Sequence, residues 1–221
     1  MKNGRFVFSY KKSEVNKIDI ILASSSPRRL KILRENGINP IVIPTDSDES
    51  IPDYASDASE VAQILSMRKA KKCRSLLKSK EALIIAADTI VVCKDLTHLK
   101  KFGILGKPKS KEEAIFMIEN LQGKSHKVIT GCAVIRYDFL NEKEISFCEE
   151  TEVHCKPMNG KEIEEYILTD EPYDKAGGYG IQGEFGNYID HIEGDYNNVV
   201  GLPIDRLIEE IHKLKNKNQN S

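Results

Sequence analysis

Apolar and polar positions alternate in blocks of changing period along the chain, and the blocks predict a succession of strands and helices. Ile18–Ala23 is a continuous apolar run rich in Ile, the mark of a buried strand. Ser26-Pro27 sets an N-cap before a proline at the first helical position and opens a helix that Gly37 stops. Ile38–Ile43 predicts a second short strand, and Thr45–Ser50 an acidic loop. From Asp57 to about Leu77, the apolar positions Val61, Ile64, Leu65, Ala70 and Leu76 recur at helical spacing and predict a long amphipathic helix. Ala82–Cys93 is a central apolar strand, followed by a loop with Gly103, Gly106 and Pro108. Ser110 and Glu113 form a capping-box pattern for a helix whose apolar face is Ala114, Ile115, Ile118 and Leu121, and Gly123 ends it.

Lys127–Tyr137 and Lys143–Lys156 predict two long strands in an antiparallel pair. Asn159, with Glu162 three residues on, caps a helix to about Leu168. Glu171–Gly183 reads as a Gly-rich loop, a β segment falls near Tyr188–Ile192, and a last helix starts at Pro203. Strands mixed with helices in this way predict an α/β or α+β fold on a mixed sheet. With no internal repeat and no internal linker, the expected division is a polar leader over 1–17, one domain over 18–213 and a polar tail over 214–221.

Composition narrows the function classes. The chain has 221 residues, 40% of them hydrophobic, with 33 Lys+Arg against 34 Asp+Glu and a formal net charge of −1. That is too apolar for a disordered chain and gives no support to a nucleic-acid coat. No apolar stretch approaches the ~20 residues of a membrane span, and the charged start lacks the apolar core of a secretory signal. The expectation is a soluble intracellular protein with neither nucleic-acid nor membrane partners. Five scattered cysteines without a C-x-x-C pair fit reduced, packed thiols. His154 beside Cys155 has no second ligand pair at suitable spacing in the sequence and reads as coincidence.

Candidate chemistry falls in five places. Ala23-Ser24-Ser25-Ser26-Pro27-Arg28-Arg29 brings hydroxyls, free helix N-terminal N–H groups and two guanidinium groups to one strand-to-helix turn. Each is a phosphate-binding device, although an ordinary N-cap with two surface arginines has the same pattern. Asp88-Thr89 lies inside the apolar run Leu83–Val92, where a carboxylate is costly unless paired, hydrogen-bonded or metal-bound. Such an acid is a candidate base or metal ligand. Lys69 on the long helix and Lys107 between Gly106 and Pro108 each resemble solvated lysines singly. With Arg28, Arg29 and Asp88 they would make a polyphosphate cradle. In Glu171–Gly183, four glycines permit close backbone approach to a ligand, and Gln182 offers a donor and an acceptor to a base edge. Asp174 and Lys175 either pair with each other or reach phosphates. Gly194–Pro203 reads as an ordered turn supporting a pocket wall.

Taken together, LASSSPRR (Leu22–Arg29), AADTIVV, the GKP loop, LQGKSHKVITG (Leu121–Gly131), EPYDKAGGYGIQG and VVGLP (Val199–Pro203) resemble the Maf family of nucleotide pyrophosphatases, co-linearly over about residues 18 to 212. The resemblance implies an elongated mixed-sheet α/β architecture like that of inosine triphosphatases, with a cleft between two lobes, and a cytoplasmic homodimer. It also implies a house-cleaning role against modified nucleotides. Arg28, Thr89 and Gln182 match the pattern of the dTTP/UTP type. The catalytic acid maps to Asp88, with Ser24, Arg29, Glu49, Lys69 and Lys107 as the supporting set. The leader and the insert Lys94–Gly103, which carries His98, depart from compact members of that family.

The reaction so implied is hydrolysis of a pyrimidine nucleoside triphosphate to the monophosphate and pyrophosphate. A divalent cation, Mg²⁺ or Mn²⁺, would be held by Glu49 and Asp88. Asp88 would position or deprotonate water, the four cations would grip phosphates, and Thr89 and Gln182 would read the base. Competing readings are a purine or modified-nucleotide specificity on the same scaffold, a nucleotide-sensing regulator of cell division with little turnover, and nucleic-acid binding through SPRR and the Lys-rich ends.

Overall fold

A computed structural model describes residues 18–78 and 81–216; the expected leader lies outside the described residues, as do the last five positions of the expected tail. Strand β1 (Asp19–Leu22) leads through the Ser-rich turn into helix α1 (Pro27–Glu35), capped by Ser26 as the sequence predicts. The second strand shrinks to β2 (Ile41–Val42), because Pro40 has no N–H to give a ladder and Ile38 turns into the core instead. Helix α2 (Ala58–Leu76) is capped by Asp57 and buries Val61, Ala62, Leu65, Ser66, Ala70 and Cys73. Strand β3 (Ala82–Val92) runs through the middle of the sheet, and the short β4 (Ile104–Leu105) follows. In α3 (Lys111–Leu121) Ser110 accepts from the Glu113 N–H as expected, but the Glu113 carboxylate takes the N–H of Lys109 rather than that of Ser110.

The two long strands are β5 (Ser125–Tyr137) and β6 (Glu142–Cys155), antiparallel over their whole length as anticipated. Helix α4 (Gly160–Ile167) starts with a reciprocal capping box between Asn159 and Glu162. The Gly-rich segment winds through short 3-10 turns to β7 (Ile189–Glu193). The turn after it contains a short helix that sequence periodicity does not reveal, α5 (Tyr196–Val200), stopped by Gly201 in the left-handed region. The last helix, α6 (Ile204–Asn216), runs past the expected end of the domain at 213, and Leu214 is buried on it.

The fold is mixed α/β on a seven-stranded sheet of order β2-β1-β3-β5-β6-β7, with β4 joined to β3. Alternation along β3 sends Ile84, Ala86 and Ile90 to the face covered by α2, and Leu83, Ile85, Ala87 and Val91 to the other. On that second face α1 and α6 pack beside β1, while α3 and α4 pack beside β4 and the far ends of β5 and β6. Two blocks of core therefore lie side by side across β3. Among the described residues no helix is long and apolar enough to cross a membrane.

The feature that makes a site is a break in the sheet. One edge of β3 pairs with β5 along all of Ala82–Val92. The other edge pairs with β1 only as far as Ile85 and with β4 only from Val91. Ala86–Ile90 has no strand partner on that side, so neighbours that point to opposite faces, Asp88 and Thr89, both reach one opening.

Candidate active site

A cleft of about 740 Å³ fills this break, within the range of small-molecule sites. Its walls come from the β1–α1 turn, the acidic loop, α2, the middle of β3, the Gly106-Lys107 loop, the Gly-rich segment and the end of α5. All nine residues singled out for substrate, catalysis or metal line it: Ser24, Arg28, Arg29, Glu49, Lys69, Asp88, Thr89, Lys107 and Gln182. Lys175, Glu171 and Asp174 line it as well.

Asp88 is only 8% exposed, and its Oδ1 accepts a hydrogen bond from Lys69 Nζ. The same ammonium lies 2.9 Å from Glu49 Oε1. This contact, together with Lys107 and Arg29 at longer range, holds the Glu49 carboxyl below the usual carboxylate range against the opposing effect of partial burial. Lys69 reaches that point because Gly131, the β5 partner of Asp88, has no side chain: a Cβ there would stand 2.1 Å from the Ala62 carbonyl oxygen. The bare backbone lets α2 lie directly on the sheet, and Lys69 follows Ala62 on the same face two turns later.

Arg29 is fixed by three acceptors. Its Nε donates to Gly201 O at 2.8 Å, one terminal nitrogen to Ser24 Oγ at 3.2 Å, and the other to Thr89 Oγ1 at 3.1 Å. Burial lowers its pKa, with neighbouring Asp88 opposing part of that shift; a guanidinium keeps its charge in proteins. Counting protons settles the direction of the next link. Thr130 Oγ1 gives its single proton to Asn198 O at 2.9 Å. In the 2.9 Å contact between Thr89 and Thr130, Thr89 must therefore be the donor. Thr89 accepts from Arg29, donates to Thr130, and retains one lone pair for anything in the cleft. Asn198 is itself locked, donating to Val128 O and Thr151 Oγ1.

Arg28 stands 3.7 Å from Asp174, on the Gly-rich segment. Lys175 bonds both Asp174 and the Glu171 carbonyl. Glu171 organises the rest of that loop, accepting from the N–H groups of Gly180 and Glu184 and from the Tyr166 hydroxyl. Gly106 O accepts from Gly177 N at 2.9 Å, which ties the loop bearing exposed Lys107 to the loop bearing exposed Gln182. Beneath them Tyr179 packs on His126, whose burial pushes its pKa down to about 4. Sequence reasoning missed Thr130, Asn198 and Gly201, whose contributions are a hydroxyl relay and a carbonyl. Such roles carry no local pattern.

The cleft thus concentrates five cationic side chains around a buried acid, a setting that neutralises a polyanion. Asp88 and Glu49 converge on one cation, at present the Lys69 ammonium, and Ser24 adds a hydroxyl close to Arg29. An all-oxygen set with two carboxylates fits a hard divalent ion such as Mg²⁺ or Mn²⁺.

Comparison with known proteins places the chain. The family model described as Maf-like protein matches residues 19–214. A dTTP/UTP pyrophosphatase from Bacillus anthracis is 41% identical over 195 residues, covering 88% of this chain and 95% of its own. A dTTP/UTP pyrophosphatase from Agathobacter rectalis is 40% identical, covering 88% of this chain and 97% of its own. A nucleoside-triphosphatase (dITP/XTP pyrophosphatase) structure from Mycobacterium abscessus aligns at a TM-score of 0.43 and 11% identity, over 92% of this chain and 99% of that one. On the match along nearly all of the described residues and identities of about two in five, the chain belongs to the Maf-like protein family.

Proposed function

We propose that the chain hydrolyses dTTP or UTP to the monophosphate and pyrophosphate. The observation that carries the reading is the buried Asp88 facing Lys69, Arg29 and Lys107 across a cleft of triphosphate size. Relatives some 40% identical over most of the chain, named as dTTP/UTP pyrophosphatases, support it. Water attacks the α-phosphorus, the bond from that phosphorus to the bridging oxygen breaks, and pyrophosphate leaves with the bond electrons.

Asp88 orients the water and takes its proton. Lys69 holds Asp88 and Glu49 in place, while Arg28, Lys107 and Lys175 offset charge on the leaving pyrophosphate. Arg29, pinned on three sides, grips a phosphate at the start of α1 without having to reorganise. Gln182 meets the base carbonyls, and the one free lone pair of Thr89 is matched to the imide N–H of uracil or thymine. Glu49 and Asp88 would hold the divalent cation, which when bound supplies charge neutralisation at the α-phosphoryl. A homodimer in the cytoplasm and a protective role against modified nucleotides complete the proposal, and these rest on the family resemblance.

The test is pyrophosphate release from a panel of triphosphates in ¹⁸O-labelled water, for the native chain and Asp88→Asn. Expected are preference for dTTP and UTP, label in the monophosphate, and a ~10²–10⁴-fold lower turnover in the variant with nucleotide affinity retained. Nucleotide binding without turnover in the native chain would establish the sensor instead, and full activity of Asp88→Asn would remove the mechanism.

A further inference from the structure

A second cluster of ligand-type side chains lies away from the cleft, on the outer edge of the sheet. Strand β7 is the last strand, and its register sets His191 directly opposite His154 of β6 and Glu193 directly opposite Glu152. His191 and Glu193, two residues apart, share one face. The His154–Cys155 pair that had no partner in the sequence therefore acquires one through strand pairing.

The two imidazole rings stack at 4.1 Å between centroids and 8° between planes. The Nε2 atoms of His154 and His191 lie 3.6 and 3.7 Å from the same Glu193 Oε1. Ligand atoms of all three residues fall within 4.8 Å of one another. None of them lines the catalytic cleft. A tetrahedral zinc with bonds of about 2.0–2.1 Å needs neighbouring ligand atoms about 3.3 Å apart, so each His–Glu pair would close by a few tenths of an ångström, and the two parallel rings would tilt so that both in-plane lone pairs meet the ion.

Two further observations point to a ligand rather than to an ion pair. His154 Nε2 is buried and Glu193 Oε1, 3.6 Å away, lies beyond hydrogen-bond reach, an arrangement that a bound ion between them would satisfy. His191 Nδ1 is 2.9 Å from Asp190 Oδ2, the carboxylate–histidine contact that fixes a tautomer and leaves Nε2 as the metal-facing lone pair. Glu193 and Glu152 are like charges set opposite each other, a destabilising pairing that a bound dication would relieve.

We infer that His154, His191 and Glu193 form a zinc-type divalent metal site that clamps β7 to β6, with water completing the coordination. Two imidazoles and one carboxylate favour Zn²⁺, Ni²⁺ or Cu²⁺ over Mg²⁺ or Mn²⁺, which sets the site apart in chemistry from the oxygen-only set of the cleft.

Chelator-treated full-length protein, held in excess Mg²⁺ to occupy oxygen sites, is titrated with Zn²⁺ by calorimetry and with Co²⁺ by visible absorption. Expected are one saturable Zn²⁺ per chain, a Co²⁺ spectrum of nitrogen ligation at low coordination number, and a higher melting temperature in Zn²⁺. His191→Ala and His154→Ala should abolish the saturable step, and Asp190→Asn should weaken it about 10–100-fold. His98→Ala, outside the cluster, should leave it unchanged. His191→Gln serves as a second variant should alanine loosen the edge strand. Absence of saturable Zn²⁺ binding, or binding unaltered in folded variants at His154 and His191, would overturn the site.

Discussion

Replacing Gly131 by alanine tests the link from backbone packing to chemistry. The new methyl carbon would stand 2.1 Å from Ala62 O and 2.6 Å from Gln63 N, and both neighbours are backbone, which no rotamer change can move. Restoring ordinary contact requires α2 to retreat by about 1 Å, an overpacking strain of about 1–3 kcal/mol. For a chain of this size that lowers the melting temperature by about 2–12 °C. Lys69 rides on the same face two turns along, so the retreat draws its ammonium from Asp88 and Glu49. A misplacement of about 1 Å at reacting groups costs about 10²-fold in turnover. The assay is pyrophosphate release beside a thermal melt, with Gly160→Ala as the control, since nothing lies within 4 Å of a Cβ at that glycine. Unchanged melting temperature and unchanged turnover in Gly131→Ala would refute the packing argument. A lowered melting temperature with native turnover would refute the role given to Lys69.

Two other outcomes follow from the hydrogen-bond and proton accounting. Thr89→Val removes the acceptor of an Arg29 nitrogen, and leaving a charged donor unpaired costs about 1–3 kcal/mol. Measured kcat/KM should fall about 10–100-fold, and Thr89→Ser should recover most of it because it keeps both hydrogen bonds. His126 titrates at about 4 in the folded chain against about 6.5 when unfolded, so it is neutral in both states above pH 6.5 and takes up a proton only on unfolding between those values. Stability should therefore fall as the pH drops through that window, by about 2 kcal/mol from this group at pH 5. Denaturant titrations at pH 7 and pH 5 check it: His126→Gln should show a smaller loss than the native chain, and an equal loss would refute the assignment.

Much of this was legible in the chain because local rules carry it. The caps at Ser26, Ser110 and Asn159 rest on short-range hydrogen bonds, and those three helices begin where these residues predict. Asp88 stood out because a carboxylate in an apolar run needs a reason. What stayed hidden depends on tertiary register. The sheet break at Ala86–Ile90 arises from where β1 stops and β4 starts. The hydroxyl relay joins Thr89, Thr130 and Asn198, residues 41 and 68 positions apart in successive links. α5 is too short for periodicity to register. The pairing of His154 with His191 exists only once two strands lie side by side.

An unpartnered length of inner strand is also a docking template for foreign strands, and Ala86–Ile90 leaves one such edge open. Here the opening is guarded by a carboxylate at its centre and by Arg28, Arg29 and Lys107 at its rim. An intruding backbone would have to strip water from all of them. The charges proposed to receive a polyanion thus also stand where they would disfavour such pairing, and stripping them should cost solubility as well as activity.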